Sequence, residues 1–313
     1  VFGTAFSQSA TAQGEVPQKF GKGLINVAGK DSSWTAKVAF RFQTRYEGTY
    51  YMVPSSDTTW TGPEYTDRYR VRRARSKGSG YAFSPKVRYK FEYDVHNGFV
   101  LDAVLKWNFA GNWDIWFGQT KLPGNIERVF SSQQLQHVDR SLLNSKFTLD
   151  RDAGVQLRHH FTLGETFLVR EKFAVSQGEG LNQTGQSSGN GYTARIELLP
   201  FGKFASKGDY FASDLKREPK PKLMLAATYD YNVDALRTRG QKGDYVVAGP
   251  RDLQTFFADM HFKLKGFSFF AEYAQRSTTD GSPVIDGAWD AATGEIISVN
   301  ETYYTGSAIN ASL

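Results

Sequence analysis

The residues W-T-A-K-V-A-F-R-F-Q-T-R-Y-E, Trp34 to Glu47, decide the fold. Trp34, Ala36, Val38, Phe40, Phe42, Thr44 and Tyr46 fall on one face of an extended chain, and Thr35, Lys37, Ala39, Arg41, Gln43, Arg45 and Glu47 fall on the other. A strand of a soluble sandwich usually ends after about 5 to 6 residues, and this alternation runs well beyond that. A tilted membrane strand needs about 9 to 11 residues. The stretch therefore predicts a strand with one face for lipid and one for water.

Outward from it the period repeats. Val87, Tyr89, Phe91, Tyr93 and Val95 alternate with Lys86, Arg88, Lys90, Glu92 and Asp94, and Leu101, Ala103, Leu105 and Trp107 form the apolar face of the next run. Further strands are predicted over Tyr65 to Phe83, Trp113 to Lys121, Arg151 to His160, Thr166 to Ser176, Gly191 to Leu199, Pro221 to Asn232, Asp252 to Leu264 and Phe267 to Arg276, with another beginning near Thr302. That makes about twelve strands of membrane-spanning length. The connections sort by parity. Met52 to Glu64, His96 to Phe99, Leu122 to Asp150, Gln177 to Asn190, Val233 to Arg251 and Ser277 to Glu301 follow the odd strands. Ser84-Pro85, Phe109 to Asn112, Phe161 to Glu165, Phe201 to Lys220 and Lys265-Gly266 follow the even ones. With one exception on each side, long loops alternate with tight turns, as in an outer-membrane barrel with loops outside and turns in the periplasm.

Composition agrees with this reading and excludes others. The 313 residues include 24 Phe, 16 Tyr and 30 Gly, a mix that favours strands and turns. Mean hydropathy is -0.47, and no apolar run reaches the ~18 to 20 residues of a transmembrane helix. A barrel strand, apolar only at alternate residues, is not excluded by that. Cysteine is absent, so no disulfide or thiolate metal site exists. The formal charge of +6 fits a nucleic-acid binder, a partner for anionic lipid or a channel that concentrates anions, and the placement of the basic residues decides among them. Residues 1–33 read as the remnant of a secretory signal and a lead-in, because Ala5 and Ser7 precede Gln8 and Ala10 and Ala12 precede Gln13 with signal-like spacing. Residues 34–313 are expected to form the barrel, with 122–150 folding inward to narrow the pore.

The second strand fits least well. Arg73, Arg75 and Lys77 share one face, but Arg72, Ala74, Ser76, Gly78 and Gly80 make the other too polar and small for lipid. Either a neighbouring protomer covers that face, or the strand is irregular there.

Five segments carry a family resemblance: V-R-R-A-R (Val71 to Arg75), G-Y-A-F-S-P-K (Gly80 to Lys86), F-G-Q-T-K-L-P-G (Phe117 to Gly124), D-R-S-L-L-N (Asp139 to Asn144) and R-D-A-G-V-Q-L (Arg151 to Leu157). In order and spacing they resemble the phosphate-selective porin O and P family. The resemblance implies a sixteen-stranded outer-membrane porin, a homotrimer, a third external loop folded into the lumen, and basic side chains that pass small anions such as phosphate. It also implies that about four strands lie beyond Leu313, since a barrel closes without free edges. The chain is expected to be a partial sequence, because it stops at I-N-A-S-L without a closing aromatic strand.

With the apolar faces toward lipid, the lumen collects Lys37, Arg41, Arg45, Arg73, Arg75, Lys77, Lys86, Arg88 and Lys90, with Lys121 at the mouth of the infolded loop and Arg128, Arg140 and Arg151 on or beside it. Rows of cations facing a pore lower the barrier for anions, and the planar Arg fork matches two phosphate oxygens. The plainer reading pairs these residues with Glu127, Asp139, Asp150 and Asp152, which would hold the loop to the wall and leave a weak anion preference. His137, Asp139 and Ser141 have triad residue types without triad geometry, so no enzyme is expected. Asp150 with Asp152, or Asp230 with Asn232 and Asp234, lack the Gly and distal Glu of a calcium loop, and the five histidines lack metal spacing. No cofactor is called for, and nucleic acid is not an expected partner. Trp34, Trp107, Trp113 and Trp116 are candidates for an interfacial girdle. The competing functional class is a barrel that acts as a scaffold or surface-binding component of a larger envelope complex. A third is an outer-membrane hydrolase.

Overall fold

The computed structural model describes residues 25–55, 58–183, 189–246, 250–279, 286–289, 296–301 and 303–313. Of the expected signal remnant and lead-in over residues 1–33, residues 1–24 lie outside them. The chain divides into two compact units, Val1–Val100 and Leu101–Leu313.

The first unit contains β1 (Ile25–Ala28), β2 (Thr35–Pro54), β3 (Trp60–Ala82) and β4 (Ser84–Asp94), paired antiparallel in chain order. The short β1, opposite Thr35 to Val38, falls in the expected lead-in, where no period was visible. The expected loop over Met52 to Glu64 is largely strand, because β2 and β3 stay paired as far as Pro54 opposite Trp60. Along β2 the predicted faces separate: Phe40, Phe42, Tyr46 and Tyr50 are exposed, while Arg41, Gln43, Arg45 and Glu47 are half-buried.

The irregularity expected of the second strand is a bulge. Gln43 lies opposite Arg73 and Thr44 opposite Val71, so Arg72 is the extra residue. The slip lets Arg70, Arg73 and Arg75 share the polar face while Tyr69, Val71 and Ala74 stay on the apolar one. Further along, the small residues are covered by their neighbours. Phe91 lies opposite Gly78, and Tyr89 lies opposite Gly80 and reaches over it to donate to the Thr35 carbonyl at 2.9 Å. A Cβ on Gly80 would stand 1.8 Å from that same oxygen, so only glycine fits there.

The second unit contains β5 (Phe99–Ala110), whose first two residues precede the boundary, β6 (Trp113–Lys121), β7 (Arg151–Leu163), β8 (Phe167–Ser176), β9 (Gly191–Leu199), β10 (Lys222–Ala235), β11 (Arg251–Leu264), β12 (Phe267–Thr278) and β15 (Gly306–Ser312), each paired antiparallel to the next. A separate hairpin, β13 (Asp286–Trp289) with β14 (Ile296–Glu301), occupies part of the expected loop over Ser277 to Glu301. The strand expected near Thr302 begins at Gly306 and pairs with β12. The fold class is thus all-β, with thirteen antiparallel sheet strands in chain order. Two short helices, α1 (Ile126–Val129) and α2 (Leu142–Phe147), lie between β6 and β7, and a 3-10 stretch (Ala205–Tyr210), kinked at the left-handed Ser206 and Lys207, lies between β9 and β10.

Alternation governs this unit too, but its inner face is covered. In β9, Gly191, Thr193, Arg195, Glu197 and Leu199 are buried, whereas Tyr192, Ala194 and Ile196 are exposed. In β11, Leu253, Thr255, Phe257, Asp259, His261 and Lys263 are all buried. Side chains of this polarity become buried only when something folds over them.

Candidate functional site

The cover is the segment between β6 and β7. It leaves the wall at Lys121 and returns at Arg151, which lies opposite it, and the Leu122 amide donates to the Asp150 carbonyl at 3.1 Å. Just before this exit Gly118 adopts φ 109, and a Cβ there would stand 2.2 Å from the Ala103 carbonyl oxygen. Close approach of β5 and β6 requires glycine at this point.

Apolar contacts seat the loop. Leu122, Leu143, Phe147 and Leu149 pack on Ala174, Phe257 and Ala274 of the wall. Polar contacts fix its path. Arg195 makes a two-point contact with Asp259 at 2.7 and 2.9 Å, donates to Glu197 at 2.8 Å, and also reaches the Gly124 carbonyl of the loop at 3.1 Å. Arg276 donates to the Phe147 carbonyl at 2.8 Å and to the Lys146 carbonyl at 3.3 Å. Arg239 adds a bond to the Ser145 carbonyl at 2.8 Å. Charge-assisted bonds of this kind are worth about 1.5 to 3 kcal/mol each, so three arginines form a substantial clamp.

The loop's own cations turn inward upon it. The Lys121 ammonium donates to the carbonyls of Arg128, Val129 and Phe130 at 2.7, 3.1 and 3.1 Å, which uses its three donors. Arg140 donates to the carbonyls of Glu127 and Phe130 at 3.0 and 2.8 Å. Arg151 pairs with Asp102 at 3.2 Å, and Thr120 donates to the same carboxylate at 2.8 Å. Arg128 pairs with Asp150, which Lys242 approaches at 3.0 Å. Burial acts to raise the Asp150 carboxyl, but Arg128 and Lys242 outweigh it and hold the group well below the usual carboxylate range. Ser141 accepts from the Asn144 amide as the cap of α2 and donates to Glu127 at 2.5 Å, while His137 and Asp139 are exposed. Of the three triad residue types, Ser141 is thus part of the loop's framework.

The first unit holds the other basic residues. Cross-strand pairing sets Arg41 opposite Arg75 and Gln43 opposite Arg73, and both Arg41 and Arg73 donate to the Gln43 oxygen, at 2.9 and 2.7 Å. Arg75 lies 3.2 Å from Glu92 and 3.5 Å from Asp94; Lys77 and Lys90 lie 3.7 and 3.1 Å from Glu92. Arg45, Arg68 and Arg70 gather on Glu47. Lys37 and Arg88 are exposed on the same face. Glu47, Glu92 and Asp94 thus serve a larger set of cations, and the face keeps a positive excess. Unlike the inner face of β9 and β11, it remains half-open, with Arg41, Arg75, Lys77 and Lys90 all partly exposed.

Apart from Lys86, which is exposed on β4, the basic residues singled out from the sequence therefore fall into two groups. Lys37, Arg41, Arg45, Arg73, Arg75, Lys77, Arg88 and Lys90 share a half-open face of the first unit. Lys121, Arg128, Arg140 and Arg151 brace the loop of the second. Sequence reasoning missed Arg195 and Arg276 as loop anchors; the available signal was their alternation with outward residues of β9 and β12. Trp116 is a correction to the proposed girdle. It lies on the charged face of β6 with Lys106 and Arg158 against its ring, 3.6 and 3.5 Å from the centroid. Among the described residues, no group of three or more His, Cys, Asp or Glu is placed to hold a metal ion.

No family model and no curated relative matches the chain. Among solved structures it is similar to the outer-membrane channel DcaP of Acinetobacter baumannii, at 17% identity and TM-score 0.45 over 87% of this chain and 72% of that one. It is also similar to OmpT, an outer-membrane protein of Vibrio cholerae, at 10% identity and TM-score 0.27 over 88% and 96%. A trimer form of OmpT matches at 9% identity and TM-score 0.23 over 88% and 98%. Likeness at this level leaves function to be argued from the chain itself.

Proposed function

We propose that this chain is an outer-membrane β-barrel channel through which small anions diffuse, with phosphate and other oxyanions as its solute class. The observation that carries the reading is the half-open basic face of β2, β3 and β4, where cations outnumber Glu47, Glu92 and Asp94. A membrane site is supported by the opposite faces, which present Phe40, Phe42, Leu105, Trp107, Phe173, Ile196 and Phe256 to the surroundings. Bare aromatic and aliphatic rows of this kind suit lipid and not water. The five segments quoted above support membership of the phosphate-selective porin family and, with it, a homotrimer. The loop over residues 122–150 is the constriction in this reading.

The test is single-channel recording of the purified chain in a planar bilayer under a salt gradient. An anion-selective reversal potential is expected, and Lys77→Glu combined with Lys90→Glu is expected to move it toward cations. A cation-selective wild type sinks the basic-face argument; an unchanged potential in the double variant removes those two residues. One observation favours the scaffold reading: the inner face of β8 to β12 is filled by loop and ion pairs, and a scaffold needs no open path. A chain that inserts but never conducts would decide for it.

A further inference from the structure

The connection between β9 and β10 is out of keeping with its neighbours. At the same end of the second unit, β5–β6, β7–β8 and β11–β12 are joined by residues 111–112, 164–166 and 265–266. Leu198 lies opposite Leu225, so a comparable turn would also join β9 to β10; residues 200–221 are used instead. The additional chain folds over the inner face of the sheet. It arrives from the end opposite to loop 122–150, because successive connections of an antiparallel meander alternate ends.

Its anchors are specific. The Lys263 ammonium, 1% exposed, donates to the carbonyls of Gly208, Phe211 and Ser213, each at 2.8 Å. Arg170 pairs with Asp209, and Asp214 accepts from the Gly266 amide at 2.8 Å. Its tip meets the loop from the other end: the Ala212 amide donates to the Gln134 carbonyl at 2.9 Å. Beside that bond the His261 ring lies between Phe130 of the loop and Phe204 of the connection, at centroid distances of 5.5 and 5.9 Å. Ile126, Phe130, Phe204 and Ala212 share one buried cluster with wall residues Leu168 and Phe270. Phe130 of the loop and Phe204 of the connection are thus buried in the same cluster.

We propose that residues 200–221 are a second inserted element, which seats loop 122–150 from the opposite end so that the two narrow the path jointly while in contact and widen it when they part, with Lys263 as the positioning residue. The inference rests on the channel reading. It assigns the constriction to a pair of segments and makes the β9–β10 connection a control point.

The chain has no cysteine, so Gln134→Cys with Ala212→Cys introduces a single possible disulfide into these 313 residues. Oxidation is expected to link the two positions, seen as a reduction-reversible gel shift, and to suppress the conductance fluctuations seen after reduction. Replacing residues 203–215 by Asn-Gly, and separately Lys263→Met, is expected to raise single-channel conductance about twofold or more. Heat-modifiable gel migration identifies variants that still fold, and the cysteine pair remains informative where the others do not. If no disulfide forms, the contact is wrong. If it forms in a conducting channel while linking and shortening both leave the trace unchanged, the joint control is wrong and the channel reading stands. A wild type that never conducts overturns the channel reading, and the joint control with it.

Discussion

At the residue scale, the main distinction is between cations gathered on a few carboxylates of a half-open face and cations that hold backbone. Both kinds alternate along strands, and nothing in the one-dimensional pattern separates Lys77 from Lys121. The partners of Lys121 are carbonyls of Arg128, Val129 and Phe130, and a carbonyl leaves no mark in a sequence. Lys121→Met is accordingly expected to loosen the loop, seen as noisier current, with less effect on selectivity than Lys77→Glu. Arg276→Met removes two loop contacts from a buried position and is expected to cost about 3 to 5 kcal/mol, measured by denaturant unfolding in detergent. Asp150 makes a prediction about pH. Its folded pKa is depressed, so its contribution is present above the ordinary value of 3.8 and is lost only as pH falls through the lower folded value. Conductance noise should therefore stay flat from pH 7 to about 4 and rise in Asp150→Asn across that whole range. A wild-type transition near pH 6 would assign the anchoring to another group.

At the scale of elements, strands were legible wherever the period of two was unbroken, as in β2, β9 and β11. Ends were not. β2 and β3 continue through residues expected to be loop because cross-strand pairing, which has no local signal, extends to Pro54 and Trp60. The bulge at Arg72 was visible only as a failure of the pattern, since one extra residue disrupts alternation without showing on which strand the ladder slips. Deleting Arg72 should leave Arg70, Arg73 and Arg75 on the polar face and Tyr69, Val71 and Ala74 on the apolar one, because the ladder already skips that residue. Retention of the heat-resistant folded band on a gel is the expected outcome; its loss would mean that the bulge itself is required. That residues 122–150 form a long connection between β6 and β7 was readable from the sequence. The path of residues 200–221 was noted only as an exception to loop parity, because its anchors Lys263 and Arg170 lie far from it in the chain.

At the scale of the molecule, the two units differ in how far their polar faces are filled. That difference depends on which segments return to cover a strand, and alternation is blind to it. In a chain without cysteine it is directly measurable. A thiol placed at Lys77 should react readily with a small charged reagent from the aqueous side, and one placed at Thr193, fully buried, should resist it. Equal rates would mean that the second unit's inner face opens in the membrane. The length of the β2–β3 hairpin has a further consequence. At about 3.3 Å per residue and a tilt near 40°, the 20 residues of β2 rise roughly 50 Å, well beyond the ~30 Å of hydrocarbon. Past Arg73 the ribbon has no third strand alongside it among the described residues, and a two-stranded ribbon in water holds together weakly. It carries Arg68 and Arg70 at its flank, the former well exposed, so intact cells treated with trypsin should be nicked there first. The fragment sizes would report which end of the strands faces the outside of the cell.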